Sequence, residues 1–361
     1  MIGPTLGRYL TLRFTKTILA VFGTIFLLIY LIDFVEMLRR TGDIPGATTA
    51  YIALLTMMRV PAVSEQILPF ATLGGAMVAF LGLTRKLELV VARAAGVSVW
   101  QFLAPPVLIV ALLGIFSVTV YNPVSAHLKQ RADAIETKLF GRSGRSESDT
   151  SLWIRQRSID GQAIIRAEQS SDRGTQLGSV TVFVFDLEGR FVERVEAAKA
   201  QLRPGVWALT DARIFTASEE PRSTQDYMLA TNLTPEQVTQ SFVAPDAVPF
   251  WSLPELSRRT EAAGLDATGY RLKYQALLAR PLLLVAMVLI AAAFSLRFFR
   301  FGGISRMVSG GVAAGFVLYV ATKLVSDLGG AGLLSAPIAA WSPALVGSML
   351  GTLVLLHQED G

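Results

Sequence analysis

The sequence predicts an α-helical membrane protein with six transmembrane helices and an all-β domain of jelly-roll type inserted between helices three and four. Three observations carry that expectation. First, 52% of the 361 residues are hydrophobic and only 17% are charged, with a mean hydropathy of +0.47, more apolar than an ordinary soluble domain. Second, the excess is gathered into six blocks, each long enough to cross a bilayer, which takes about 20 residues of helix. Third, between residues 123 and 270 helical periodicity yields to short alternating segments separated by turn signals. The expected organisation is an N-terminal membrane half (1–122), an inserted β domain with helical connectors (123–270) and a C-terminal membrane half (271–361).

Residues 1–16 hold Arg8, Arg13 and Lys16 with Leu6, Tyr9, Leu10 and Phe14 between them, the pattern of a short amphipathic entry helix. Residues 17–38 form the first span. A cleaved signal peptide is the alternative, but no small-residue cleavage pattern follows and the block runs on through Asp33, Glu36, Arg39 and Arg40. Residues 41–59, with Gly42, Asp43, Pro45 and Gly46, read as a turn-rich connection. The second span covers 60–83, with Glu65, Gln66 and Pro69 near its outer end. Gly74 and Gly75 lie mid-span, where small residues allow close helix approach. Residues 83–96, LTRKLELVVARAAG, form a charged amphipathic helix between two spans. Leu87, Val90, Val91 and Ala94 recur at helical spacing, with Arg85, Lys86, Glu88 and Arg93 among them. The third span covers 97–121, where Pro105 and Pro106 are expected to bend or break the helix.

Residues 123–140 still read as helix. Alternating segments follow at 151–155, 163–168, 179–186, 191–202 and 206–215, punctuated by Asp160-Gly161, Glu188-Gly189 and Pro204-Gly205. Residues 251–275 read as a helical return, with Ser252 as N-cap and Glu255 three residues on. The last three spans are 276–296, 306–326 and 333–356. Basic residues mark the N-terminus, the 83–96 helix and the loop holding Arg297, Arg300 and Arg306. That puts these segments and the C-terminus in the cytoplasm and the β domain outside.

Several chemistries are excluded. There is no cysteine, so no disulfide and no thiolate site. His127 and His357 are the only histidines and lie far apart, a poor start for a metal centre. No hydrolytic or redox constellation is legible, so no enzyme is expected. No Gly-Lys pair occurs, which removes the phosphate-cradling loop of an ATPase. Work done by this chain must therefore draw on a partner or an ion gradient. The 83–96 helix is then either a solvated loop or the place where a separate engine grips.

Charges at the end of span one suggest a second site. Asp33, Glu36, Arg39 and Arg40 stand three and four residues apart on a helix. They form either a frayed end with internal ion pairs or a wall meeting a charged amphiphile, for which paired guanidinium groups suit phosphate. Lys129 and Arg131 fall near the same surface, with a solvated helix face as the plain alternative. Gly311 and Gly315 form a Gly-x-x-x-Gly in span five, suited to helix packing or to a gate.

The stretch 59–102, RVPAVSEQILPFATLGGAMVAFLGLTRKLELVVARAAGVSVWQF, resembles the LptF/LptG (YjgP/YjgQ) permease family of lipopolysaccharide export, above all in its LELVVARAAG core. The N-terminal RYL, the DFVEMLRRTG after span one and the layout of three spans, β domain and three spans match as well, closer to the LptG type than to the LptF type. The resemblance implies a transporter subunit that pairs with LptF, binds two copies of the ATPase LptB and recruits LptC. It implies lipopolysaccharide extraction from the inner membrane toward a periplasmic bridge containing LptA. No cofactor is expected on this chain, since ATP and Mg would bind the partner ATPase. It also implies that 83–96 is the coupling helix, with Glu88 at the acidic position that meets LptB, and that Arg39 and Arg40 face lipopolysaccharide phosphates. Asp33 departs from the family pattern, being acidic where the familiar form is basic. The rivals are an LptF-type paralogue, a secondary transporter and a membrane-anchored periplasmic scaffold. A secondary transporter would need ionisable groups inside its helices, and spans four to six offer little beyond Arg280, Lys323 and Asp327.

Overall fold

The computed structural model describes residues 4–42, 48–139, 152–158, 161–171, 174–216, 220–232, 244–262, 266–298 and 304–360. It divides into two compact units. One is Met1–Ile135 with Asp246–Trp251 and Arg271–Gly361; the other is Glu136–Pro245 with Ser252–Tyr270.

The first unit is helical. Its elements are α1 (Pro4–Thr41), α2 (Thr49–Arg85), the short α3 (Glu88–Ala94), α4 (Val99–Phe116), a π turn (Ser117–Tyr121) that runs into α5 (Asn122–Leu139), and then α7 (Thr268–Phe298), α8 (Ile304–Gly330) and α9 (Ala336–Asp360). Among the described residues, six stretches are long and apolar enough to cross a membrane: α1, α2, α4 with α5, α7, α8 and α9. Their common core joins Phe14 of α1, Phe80 of α2, Phe102 of α4 and Met287 of α7. Phe14 and Phe80 meet edge to face at 4.9 Å. Gly75 lets α1 cross tightly, because a Cβ there would stand 2.5 Å from the Ile18 Cα. The expected close approach at mid-span is therefore present.

Two details differ from the sequence reading. Residues 49–59 are helix, not connection: Thr48 caps α2 through the Tyr51 N–H, and Ile52, Leu55 and Thr56 are buried. The helix α4 also runs unbroken through Pro105 and Pro106. Phe102, Leu103, Pro106 and Val110 are all buried there, so tertiary packing overrides the local tendency of proline to bend a helix. The irregularity comes later, at the π turn Ser117–Tyr121.

The second unit holds a six-stranded antiparallel sheet: β1 (Leu152–Ser158), β2 (Gly161–Ser171), β3 (Gln176–Phe185), β4 (Phe191–Arg203), β5 (Val206–Thr216) and β6 (Arg222–Ala230), with α6 (Leu253–Ala262) after it. The strands pair in sequence order, β1 to β6. This differs from the crossing connections of a jelly roll: connectors of two to five residues allow only neighbouring strands to pair. The strand missing from the sequence reading is β6, an edge strand whose residues are mostly exposed and so carry no clean alternation.

The sheet nevertheless bends. Each ladder from β2 to β6 skips one pair, at Glu168/Ser179, Ser179/Ala198, Ala198/Asp211 and Asp211/Gln225. Ser179 and Asp211 there take positive φ, 49° and 57°. The register is the same on both sides of each skipped pair, but the side-chain alternation changes phase there. In β4, Val195 and Ala197 are buried before the crease, and Ala200 and Leu202 after it. One face thus stays apolar on both limbs, closed around the fully buried Trp207. The Gln156 side chain of β1 donates to the Ala230 carbonyl at the end of β6.

Candidate functional site

The charged helix anticipated at 83–96 is broken. α2 ends at Arg85, and α3 starts at Glu88 after a left-handed Leu87 (φ 58°), a conformation that costs a non-glycine residue about 1–2 kcal/mol. The break turns α3 so that Leu89 is buried at 5% exposure, in a seat formed by Val97, Val99, Phe102 and Leu296. Leu87, Val90 and Val91 face outward, at 57%, 40% and 67% exposure. Arg85 and Lys86 are exposed beside them, while the Arg93 side chain lies outside the described residues. Glu88 does not join the outward stripe. Its carboxylate accepts hydrogen bonds from Tyr9 Oη at 2.8 Å and from Arg13 Nη1 at 3.0 and 3.1 Å, both on α1.

At the other end of α1, Arg39 and Arg40 are exposed and both pair with Glu36, at 3.0 and 2.8 Å. Asp33 does not join them. It pairs at 3.5 Å with Arg59 of α2, a residue the sequence reading did not single out. Asp33 therefore faces a cation of the neighbouring helix rather than standing alone. Gly311 and Gly315 face α2, where a Cβ would meet Met77 and Leu73. Lys129 is half-buried and Arg131 exposed on α5.

Sequence reasoning missed a buried ionic centre. Glu65 of α2 pairs with Arg280 of α7, their side chains 5% and 12% exposed. The same carboxylate accepts from Asn122 Nδ2 at 3.0 and 3.2 Å and from Ser125 Oγ at 2.8 Å. Asn122 Oδ1 in turn accepts from the Phe250 N–H at 2.9 Å. The chain thus leaves for the sheet at 122 and returns at 250 through one polar cluster. Beside it Lys273 pairs with Asp246. Burial raises the Asp246 carboxyl, but the attraction and hydrogen bond of Lys273, with the fields of Lys129 and Arg280, outweigh it and hold the group below the ordinary carboxylate range. A single sequence offers no signal for pairs so distant.

Six apolar spans around one helical core, interrupted by an antiparallel sheet, define a multi-pass membrane protein whose exposed faces exceed what its own helices can cover. A family profile described as "Lipopolysaccharide export system permease LptF/LptG" matches residues 8–357, so the chain belongs to that family. It is a multi-pass inner-membrane permease, a lipid-transport subunit rather than an enzyme. It is 26% identical over 344 residues to the lipopolysaccharide export system permease protein LptG of Escherichia coli strain K12, covering 90% of each chain. The LptG of Haemophilus influenzae is 21% identical over 363 residues, covering 98% of this chain and 96% of that one.

Proposed function

We propose that this chain is the LptG-type half of a two-permease ABC transporter that lifts lipopolysaccharide from the inner membrane, driven by ATP hydrolysis on a separate subunit. The observation that carries the reading is α3: an apolar stripe turned to solvent on a helix whose other face is seated in the bundle. An LptB dimer docks on Leu87 and Val91, flanked by Arg85 and Lys86, with Glu88 at its edge. The N-terminus, α3 and the C-terminus are cytoplasmic and the sheet is periplasmic, in line with the basic-residue distribution. An LptF-type partner lies along α1 and α8, whose apolar residues Leu28, Ile32, Val317 and Leu324 are exposed. LptC and the periplasmic LptA continue the path from the sheet.

Affinity purification of the tagged chain from membranes should bring an ATPase with it, and Leu87→Asp with Val91→Asp should remove it. Burying those two side chains is worth about 3 kcal/mol together, roughly a hundredfold in affinity. Failure to co-purify an ATPase, or retention by the double variant, would sink the reading. Arg39, Arg40 and Arg59 then form the rim that meets lipid phosphates, with Lys129 and Arg131 further along. Replacing Arg39 and Arg40 by Glu should strongly reduce photocrosslinking of lipopolysaccharide to neighbouring α1 positions; unchanged crosslinking would leave the rim as a solvated helix end.

A further inference from the structure

We propose that Tyr9 and Arg13 are positioning residues that tie α3 to α1 through Glu88, so that movement of α3 reaches α1 directly. This rests on the reading that an ATP-hydrolysing partner pushes on α3. Backbone continuity alone would deliver such a push to α2 and α4, the sequence neighbours of α3. The helix α1 is 75 residues away from Glu88 along the chain at Arg13, yet three hydrogen bonds join them.

The tie is built to hold its geometry. Arg13 Nη1 reaches both Glu88 oxygens and also donates to Tyr9 Oη, while Tyr9 Oη donates to the same carboxylate. The guanidinium is 5.7 Å from the Tyr9 ring centroid, and the Arg13 side chain is only 17% exposed. Charge-assisted hydrogen bonds are shorter and stronger than neutral ones, and the Arg13 end of this tie is largely covered while the Glu88 side chain stays 32% exposed. Gly82 supplies the space: a Cβ there would stand 2.5 Å from Arg13 Nη2. On its other side α3 is fixed by Leu89 in its apolar seat. A helix of seven residues pinned on both flanks moves as a body, and one pin is on α1, the span with the least of its surface covered, 6% of its apolar window.

The test uses the complex of this chain with its co-purifying subunits, reconstituted in lipid with lipopolysaccharide and a soluble acceptor. Co-purification, ATP hydrolysis and lipid released are measured together. Arg13→Ala should keep the ATPase subunit and hydrolysis within about twofold, while lipid released per ATP falls roughly tenfold, the scale of losing hydrogen bonds to a charged group. Arg13→Lys should recover part of that ratio. Tyr9→Phe, which removes only a hydroxyl, should lower it in the same direction and decides the matter if Arg13→Ala does not assemble. An unchanged ratio in both variants overturns the proposal. So does loss of the ATPase subunit from Arg13→Ala, because the pair would then shape docking rather than transmission. If the parent complex contains no ATPase, the underlying reading fails instead, and this proposal with it.

Discussion

Arg280→Ala is expected to destabilise the helical unit by about 3–5 kcal/mol, because it strands a buried carboxylate without its cation. Glu65 would keep its bonds from Asn122 and Ser125, which lessens the loss without replacing the charge. The paired change Glu65→Gln with Arg280→Gln should cost much less, since neutral amides can share the hydrogen bonds and no unpaired charge remains. Thermal unfolding in detergent checks both. A single variant as stable as the parent would mean that the pair is solvated. The consequence reaches beyond stability, because the same cluster holds the points where the chain leaves for and returns from the inserted sheet.

Trp207→Ala should be the most damaging change in the sheet, at about 3–5 kcal/mol for a large buried aromatic. That is a large share of the 5–15 kcal/mol typical of a domain. Two terms contribute and can be separated. The ring fills the space enclosed by both limbs of the creased sheet. Its Nε1 donates at 3.2 Å to Gln156 Oε1, which also accepts from Thr231 Oγ1 at 2.6 Å. Trp207→Phe keeps most of the volume and should cost less, whereas Gln156→Leu removes the acceptor of the buried Trp207 Nε1 and should cost about 1–3 kcal/mol. Protease resistance of residues 152–231 in the whole chain reports all three. Equal loss in Trp207→Phe and Trp207→Ala would assign the effect to the hydrogen bond instead of the packing.

Much of this architecture is legible in the residues alone. Six apolar blocks imply six helices because an unpaired backbone group in hydrocarbon is too costly for anything but a helix or a closed barrel. The turn pairs Asp160-Gly161 and Pro204-Gly205 mark hairpins because glycine alone takes those conformations freely; φ is 130° at Gly161 and 82° at Gly205. The crease was written as a one-residue slip of alternation in β3, β4 and β5, but a slip within one strand has no meaning until neighbouring strands are aligned. The sixth strand was hidden for a related reason: at a sheet edge, burial no longer forces a period of two.

The candidate site divides the same way. The amphipathic stripe Leu87, Val90, Val91 is a local pattern, and its exposure follows from it once Leu89 is seated. The break at Leu87, the retreat of Glu88 to Arg13 and Tyr9, and the pairing of Asp33 with Arg59 are not local. Periodicity says which residues share a face, whereas the partner of a charge is set by which helices cross and at what height. Glu65 and Arg280 stand 215 residues apart, and each reads alone as an ordinary charge near the end of a span. Only the packing of α2 against α5 and α7 removes water from around them, and desolvation is what turns two scattered charges into one ion pair.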